Sequence, residues 1–327
     1  MEGNFKSGYI KERLDYYNSN YRIIVDYPLV NEKPIIIKDY SSPDERICRF
    51  CGNAKPEATF KKKAHAIPEL LGNKAIILSN ECDTCNEFFA YECEDHLAKW
   101  FGPMRTLSKM NGKRGIPKYK SDEFTAAKGE NGMELFINSD SSEMNFTECS
   151  SGTFKIPVDM KTQPYIPIRA AKALVKSAIS ILPESILPEC DVTIQWLLGK
   201  SNLKMHKFPV LYAFTPGYNP YIGGKVVIWK RKEPDAKLPL LWYIVASANF
   251  LFQIMIPFCN SDKWIKESED NNFQVTFFPT PFSDEYTKKF GKTTWYCDDW
   301  AGETPVVQNR SASFHFDKIE EKKPSSA

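Results

Sequence analysis

The chain has 327 residues, of which 42% are hydrophobic and 26% are charged, a composition ordinary for a globular protein with about two domains. Nine cysteines are an odd number, and the charged first residues have no apolar signal-peptide core, which argues against a secreted disulfide scaffold. The net charge of +2 neither favours nor excludes a nucleic-acid partner, because the local distribution of charge decides that. We therefore expect a cytoplasmic protein, in which paired CxxC motifs indicate metal sites.

The first hundred residues divide into two predicted parts. Residues 1–45 are expected to be a leader, with a short helix around Ile10–Tyr17 and two strand-like runs, YRIIVDY and KPIIIKDY. The SSPDER segment predicts a boundary, after which residues 46–101 form a cysteine-rich module. Residues 102–132 are rich in Lys, Gly and Ser and predict a basic, loop-like linker.

Residues 133–316 predict a larger, mixed α+β domain of unknown role. An amphipathic helix is expected over residues 168–182 and a second helix over 186–198. Strand-like runs follow at 208–215, 225–231, 240–257 and 273–279. The last residues, 317–327, are expected to be disordered.

One uncharged stretch, residues 238–261, is long enough to span a bilayer. Pro239, Asn249, Gln253 and Pro257 interrupt it, and it has no flanking basic asymmetry. We therefore expect two buried elements joined by a turn near Asn249, and no membrane partner.

Two CxxC motifs, CRFC and CDTC, are separated by 30 residues. Two such motifs can place four thiolates in a tetrahedron around zinc, and the ion then supplies folding energy to a small module. The sequence therefore predicts a structural zinc site at Cys48, Cys51, Cys82 and Cys85.

The segments between and after these motifs predict a ββα unit. TFKKKAHAIP suggests a strand ending at His65, ELLGN a loop, and AIILS a second strand. From Asn86 onward, apolar residues recur at helical spacing and predict a helix. The expected fold class is therefore α+β: a zinc-stapled ββα module beside the larger domain.

The ordered series CxxCG, AHxIP, LGN and ECxxCN resembles bacterial HNH endonucleases of the His-Me finger, ββα-metal type that carry a four-cysteine zinc site. The resemblance implies that His65 is the general base that activates water. It also implies that Asn73, or alternatively Asn80, orients this histidine through the loop backbone. Asn86 then falls at the third motif position, on the helix that holds a single divalent metal.

The chemistry of phosphodiester hydrolysis agrees with these roles. An imidazole with a pKa near ~6.5 can deprotonate water, and oxygen ligands suit magnesium or manganese. Glu94 lies eight residues after Asn86 on a similar side of the predicted helix and could complete the metal site, with Glu92 and His96 as the competing pair. Ala64 departs from the family pattern, since many members carry a metal ligand directly before the base.

Charge is segregated along this region. Six acidic residues and no basic ones lie between Glu81 and Asp95, and the balance inverts between Lys99 and Lys120. Because basic segments neutralise phosphates, we expect a nucleic-acid-binding surface, although a solvated basic loop is the alternative. Its candidate residues are Lys61, Lys62, Lys63, Arg105, Lys109, Lys113, Arg114 and Lys118.

The leading functional prediction is a metal-dependent endonuclease that cuts DNA, with zinc as a structural ion and magnesium or manganese as the catalytic ion. By analogy with HNH proteins that bear extra domains, restriction or anti-phage defence is the expected setting. The larger domain could read DNA, bind a small-molecule activator or hold a homodimer. The alternatives are a non-catalytic zinc-stapled nucleic-acid-binding module and a ligand-sensing or interaction protein that uses the ββα unit as a scaffold.

Overall fold

The computed structural model describes residues 8–110, 115–122, 124–130, 132–137, 146–266, 279–280 and 290–320. Its α-helices are α1 Gly8–Asn20, α2 Asp83–Phe89, α3 Asp95–Phe101, α4 Pro103–Leu107, α5 Pro167–Ile181, α6 Asp191–Leu197 and α7 Lys263–Lys266. Its strands are β1 Tyr21–Pro28, β2 Ile35–Ile37, β3 Ile76–Leu78, β4 Tyr119–Lys120, β5 Phe124–Lys128, β6 Met133–Ile137, β7 Thr147–Glu148, β8 Phe154–Lys161, β9 Pro209–Phe214, β10 Tyr221–Arg231, β11 Leu241–Ala248, β12 Phe250–Met255, β13 Thr294–Asp299 and β14 Asn309–Phe316. The mixture of helices and sheets confirms the predicted α+β class.

The largest sheet has six antiparallel strands in the order β1-β10-β11-β12-β9-β13. Its centre, β11 and β12, is the uncharged stretch of the sequence, and all of β12 is buried. Asn249 lies between these strands and donates its amide hydrogens to the carbonyl oxygens of Thr215 and Gly217, both at 2.8 Å. The prediction of two buried elements joined near Asn249 is therefore confirmed, and no helix in the described ranges is long and apolar enough to cross a membrane.

Residues 1–45 differ from the expected leader, because strand β1 belongs to the large sheet and strand β2 pairs with a strand of the cysteine module. Strand β1 pairs with β10 in antiparallel register, with Tyr21 opposite Arg231. Strand β2 pairs in parallel with β3 of the cysteine module, with Ile36 opposite Ile77. Apolar side chains on one face of β1 pack into the hydrophobic core, so this segment is part of the folded structure and not a separate leader.

The expected linker, residues 102–132, also differs from the prediction. It contains helix α4 and strands β4 and β5, and β5 pairs with β6 across the predicted boundary at residue 133. The apolar residues Met104, Phe124 and Ala126 are buried. They anchor a segment whose many Lys and Gly residues suggest a loop when only composition is considered.

Helix α5 confirms the helix predicted over residues 168–182 and is almost entirely buried. Pro167 occupies its first turn, where a missing N–H is tolerated. It packs against α3 and the preceding π-helical turn of the cysteine module. The second predicted helix, 186–198, is split into a 3₁₀ segment, Glu184–Cys190, and α6, because Pro188 disfavours continuous α-helix.

One hydrophobic core joins the cysteine module to the large sheet. The indole of Trp100 in α3 lies 5.3 Å from the ring of Phe252 and 5.1 Å from that of Trp300, measured between ring centroids. The module is thus packed against the rest of the chain through fully buried aromatic side chains. The strand predicted at 273–279 lies almost wholly outside the described residues, as does most of the predicted disordered tail, 317–327.

Candidate active site and zinc site

The four motif cysteines converge as predicted. Their Sγ atoms all lie within 4.8 Å of one another, and those of Cys51 and Cys82 are 3.8 Å apart. A zinc ion with bonds of about 2.3 Å to four thiolates sets its sulfur atoms about 3.8 Å apart, so the cluster fits a structural zinc ion. Cys48, Cys82 and Cys85 are buried, which suits a closed structural site.

Hydrogen bonds within the cluster favour the thiolate form of one cysteine, Cys48. The N–H of Cys82 donates to Sγ of Cys48, and the N–H of Cys85 donates to Sγ of Cys82, both at 3.4 Å. The hydrogen bond from the Cys85 thiol, aided by backbone N–H groups, lowers the pKa of Cys48 to about 4, although burial opposes this shift. As its partner, Cys85 has a raised pKa. A zinc ion would displace the remaining protons as it binds.

The strand predicted to end at His65 is much shorter than expected. It is reduced to an isolated bridge between His65 and Ile77, flanked by the hydrogen bonds Ala66 N–H to Ile76 O at 3.2 Å and Leu78 N–H to Ala64 O at 3.0 Å. The preceding N–H groups of Lys61 and Lys62 instead donate to the carboxylate of Asp83. These two N–H groups are therefore not available for the hydrogen bonds that the predicted strand would make with a neighbouring strand.

His65 lies at the edge of this hairpin with its side chain about one-fifth exposed. Its Nε2 is 3.3 Å from a carboxylate oxygen of Glu69, one helical turn later in the chain. The 3₁₀ turn that carries Glu69 begins after Pro68, so the loop following His65 presents a carboxylate to the imidazole. A carboxylate in this position favours the imidazolium that forms when the base accepts a proton.

Asn73 is buried and uses its side chain to fix the loop between the two strands. Its amide donates to the carbonyl oxygens of Ile67 and Ile76, both at 2.8 Å, while its Oδ1 accepts from the N–H groups of Ala75 and Ile76. This is the geometry expected of an asparagine that orients His65 through the loop backbone.

The alternative, Asn80, forms its hydrogen bonds in a different part of the module. Its side-chain amide donates to the Asp39 carboxylate, and its backbone carbonyl oxygen accepts from the N–H of Arg49. The hydrogen bonds of Asn80 therefore support the zinc knuckle and the β2 region, whereas those of Asn73 surround the His65 loop.

The predicted helix from Asn86 is interrupted by a π-helical turn over Ala90–Glu94. Asn86 lies half-buried in α2, whose first turn is capped by the Cys82 sulfur. The wider turn changes the angular offset between Asn86 and Glu94 that a regular helix would give. The Glu94 side chain is about one-quarter exposed, and its carboxylate is 3.8 Å from the ammonium of Lys176.

A catalytic metal site made of three charged side chains is not preformed in the described part of the chain. There, the four-cysteine cluster is the one group of three or more Cys, His, Asp or Glu side chains close enough to hold an ion. Ala64 is buried and contributes no ligand. Magnesium commonly binds through one or two protein oxygens together with substrate phosphates, so Asn86 and Glu94 remain a prediction for its protein ligands.

The competing pair, Glu92 and His96, is directed toward α5. Glu92 forms a 2.6 Å ion pair with Arg169, and Nδ1 of His96 accepts from the N–H of Ile166 at 3.1 Å. Burial, together with Arg169 and Lys99, lowers the pKa of His96. These two side chains connect the module helix to the start of α5.

Lys176 is a residue that the sequence did not reveal. It lies in the middle of α5 with no exposed surface, and its ammonium is 3.0 Å from Glu81, 3.2 Å from the carbonyl oxygen of His65 and 3.8 Å from Glu94. Burial lowers the pKa of Lys176, but Glu81 and Glu94 reverse this, and the net shift is upward. A lysine in an amphipathic helix is expected to face solvent, so the sequence does not indicate that Lys176 is buried and paired with Glu81 and Glu94 from distant segments.

Arg49, inside the first CxxC motif, binds the other end of α5. Its Nη1 donates to the carbonyl oxygens of Ile179, Ser180 and Leu182 at 2.9–3.0 Å, and its guanidinium pairs with Asp39. An arginine satisfies the unpaired carbonyls of a helix C-terminus and complements its partial negative charge. Helix α5 is therefore bound by the module at its start, middle and end.

The predicted nucleic-acid-binding residues differ in their surroundings. Lys61, Lys63 and Lys118 are exposed, whereas Lys62 pairs with Glu87. Arg105 is half-buried, and burial lowers its pKa. The ammonium of Lys109 lies 4.5 Å from the ring centroid of Tyr218. Lys113 and Arg114 lie outside the described residues.

Comparison with known proteins agrees with this geometry. Residues 48–101 match the family model described as HNH endonuclease. No curated protein and no solved structure matches the chain. The predicted resemblance is therefore confirmed: the chain carries an HNH endonuclease domain, a nuclease-type domain that contains the four-cysteine cluster.

Proposed function

We propose that the HNH domain is a metal-dependent endonuclease that hydrolyses phosphodiester bonds of DNA, with His65 as the general base. The observation that carries the proposal is the fixed presentation of one imidazole. Asn73 locks the loop after His65 with four hydrogen bonds, and Glu69 lies 3.3 Å from the ring. The match of residues 48–101 to the HNH endonuclease family supports the same assignment.

In the proposed reaction His65 removes a proton from water, and the resulting hydroxide attacks phosphorus. The bond from phosphorus to one ester oxygen breaks, and that oxygen leaves with the electron pair and is protonated by solvent. Glu69 stabilises the imidazolium that forms. Asn86 and Glu94 would hold a magnesium or manganese ion, which supplies positive charge beside the phosphate and the leaving oxygen.

The exposed lysines Lys61 and Lys63, just before His65, support a phosphate-binding surface next to this site. Lys118 adds to the surface from the basic segment, and Lys113 and Arg114 are proposed to do so as well. Phosphate contacts carry no base information, so the proposal includes no sequence specificity. Restriction or anti-phage defence in the cytoplasm is the proposed setting, by analogy with multidomain HNH proteins.

A plasmid-nicking assay tests the proposal. Purified chain is dialysed free of loosely bound metal and incubated with supercoiled plasmid, with and without added magnesium or manganese. We expect open-circular DNA only with the ion, and none from the His65→Ala variant. Zinc content is measured in both proteins, so that loss of folding is distinguished from loss of the base.

A second candidate, a non-catalytic nucleic-acid-binding module, is favoured by the buried Ala64, which leaves the family's metal position without a ligand. It predicts a salt-dependent gel shift of the same plasmid without nicking under either ion.

A further inference from the structure

A cavity of about 970 Å³ lies between α4, the end of the large sheet and β14. This volume is in the range that small-molecule ligands occupy. None of the residues proposed for catalysis lines the cavity. Its walls carry aromatic rings and a few polar groups, among them Tyr212, Phe214, Phe250, Tyr296, Asp298 and Arg310.

Arg310 places a guanidinium cation at the wall of the cavity. Its side chain lies over the Trp100 ring, with the guanidinium carbon 4.3 Å from the ring centroid, and Nη2 donates to Gln308 at 2.9 Å. Burial lowers the pKa of Arg310. Among the residues that the structure describes, no carboxylate lies within ion-pair distance of this guanidinium, and Asp298, on the same wall, acts on it only at longer range while accepting a hydrogen bond from Tyr212. A largely desolvated guanidinium without a direct ion-pair partner can pair with an anionic ligand.

The aromatic wall offers a flat surface beside that cation. The rings of Tyr212 and Tyr296 are stacked, with centroids 5.0 Å apart and planes inclined by 18°. The hydroxyl of Tyr212 donates to Asp298 at 2.9 Å, which fixes the orientation of the pair. Tyr296 lines the cavity and is 38% exposed. Planar heterocycles stack on such rings whatever their hydrogen-bonding edge.

We infer that this cavity binds a nucleotide, with the base stacked on the aromatic wall and the phosphate paired with Arg310. The nucleotide is either a free mononucleotide or one unit of a single DNA strand, since both present the same ring and anion. The site adjoins the nuclease helix, because Trp100 belongs to α3 and Met104 and Leu107 of α4 line the cavity. The inference does not require that the HNH domain cleaves DNA.

Binding is measured by isothermal titration calorimetry on the full chain in magnesium-free buffer. The probes are AMP, GMP, CMP and UMP, the four matching nucleosides, and a ten-residue oligothymidylate. We expect at least one mononucleotide, or the oligonucleotide, to bind. Arg310→Met should weaken that binding by roughly 10- to 100-fold, as expected for loss of a charge-assisted hydrogen bond. Binding of the matching nucleoside should change little, because it lacks the phosphate.

Tyr296→Leu should weaken nucleotide and nucleoside alike, by roughly 5- to 100-fold, because base stacking is lost. Arg22→Met, at an exposed arginine of β1, is the matched control and should leave affinity unchanged. Far-ultraviolet circular dichroism verifies that each variant is folded, and Arg310→Lys, which keeps the charge, serves as a second variant if Arg310→Met unfolds. The Arg310→Lys variant should then bind the nucleotide more weakly than the parent protein does.

The two sources give different results. Binding of a mononucleotide that depends on Arg310 assigns a free ligand, and Arg310-dependent binding of the oligonucleotide alone assigns a strand of nucleic acid. If no mononucleotide binds at millimolar concentration and oligonucleotide affinity is insensitive to Arg310, the inference is wrong. Cleavage activity is measured separately, so its absence would not affect this conclusion.

Discussion

Lys176→Met tests the buried contact between helix α5 and the nuclease module. The change removes the ammonium but keeps a side chain of similar length among Phe50 and Phe89, whose rings lie within 6.0 Å of it. Glu81, with no exposed side-chain surface, then loses its cation. The carbonyl oxygen of His65 also loses its lysine donor.

The size of the effect follows from Glu81. Burial raises the pKa of this carboxyl from its ordinary value of 4.5 to about 7, even with Lys176 3.0 Å away. With a pKa of about 7, Glu81 is already about half protonated at pH 7, so completing its protonation without the lysine costs only about 0.4 kcal/mol. Adding about 1.5–3 kcal/mol for the lost hydrogen bonding of the ammonium, which includes the bond to the His65 carbonyl oxygen, we expect destabilisation of about 2–3.5 kcal/mol.

Urea unfolding followed by tryptophan fluorescence measures this loss, with zinc content kept equal between samples. The double variant Lys176→Met/Glu81→Leu should recover most of the stability, because it leaves no uncompensated charge. Lys172→Met, one turn earlier on α5, is the matched control. It loses a hydrogen bond to the Trp196 carbonyl oxygen and a cation–π contact with the Trp196 ring, and should cost about 1–1.5 kcal/mol. If Lys176→Met costs no more than Lys172→Met, or if the double variant is no more stable than Lys176→Met, the proposed coupling is refuted.

Four further predictions concern the sites described above. Cys82→Ser should lower the zinc content measured by atomic absorption from one ion per chain; unchanged zinc would contradict the four-cysteine site. His65→Ala should reduce the cleavage rate by about 10²–10⁴-fold in a single-turnover assay while zinc and DNA affinity are kept, and an unchanged rate would remove His65 from the mechanism. Reversal of Lys63 and Lys118 to Glu should weaken DNA binding about equally for all sequences and flatten its salt dependence, as fluorescence anisotropy would show. His96 has a lowered pKa, so the folded state binds fewer protons and its stability falls as pH drops through about 6.5; His96→Gln should reduce that decline in urea titrations at pH 7 and 5.

Local signals were sufficient for the four-cysteine cluster and for the order of segments in the ββα region, although not for the length of its first strand or the regularity of its helix. Cysteine spacing fixes which thiols can meet, and the ordered motifs indicate His65 and Asn73 without any distant contact. The burial of β11 and β12 was also predictable, since an uncharged stretch with a central Asn has few other solutions. In each case the deciding residues lie close together along the chain.

Contacts between distant segments were not predictable in this way. The sequence of residues 21–28 predicts a strand but does not indicate its partner, and the structure pairs this strand with β10, about 200 residues later. Lys176 looks like the polar face of an amphipathic helix, because Glu81 and Glu94 lie far away in sequence. No residue type predicts the π-helical turn that precedes α3. The angular offset between Asn86 and Glu94 around the helix is therefore known only from the structure.

The pairing of β1 with β10 affects the order in which the protein folds during synthesis. Tyr21 pairs with Arg231, and the hydrogen bond from Lys176 to His65 spans 111 residues. At translation rates of about 5–20 residues per second, β1 waits roughly 10–40 s for its partner. The segment that carries His65 emerges before helix α5, so the contact between His65 and Lys176 forms only after more than half of the chain has been synthesised. A nascent chain therefore passes through a period in which the zinc module exists without its supporting lysine.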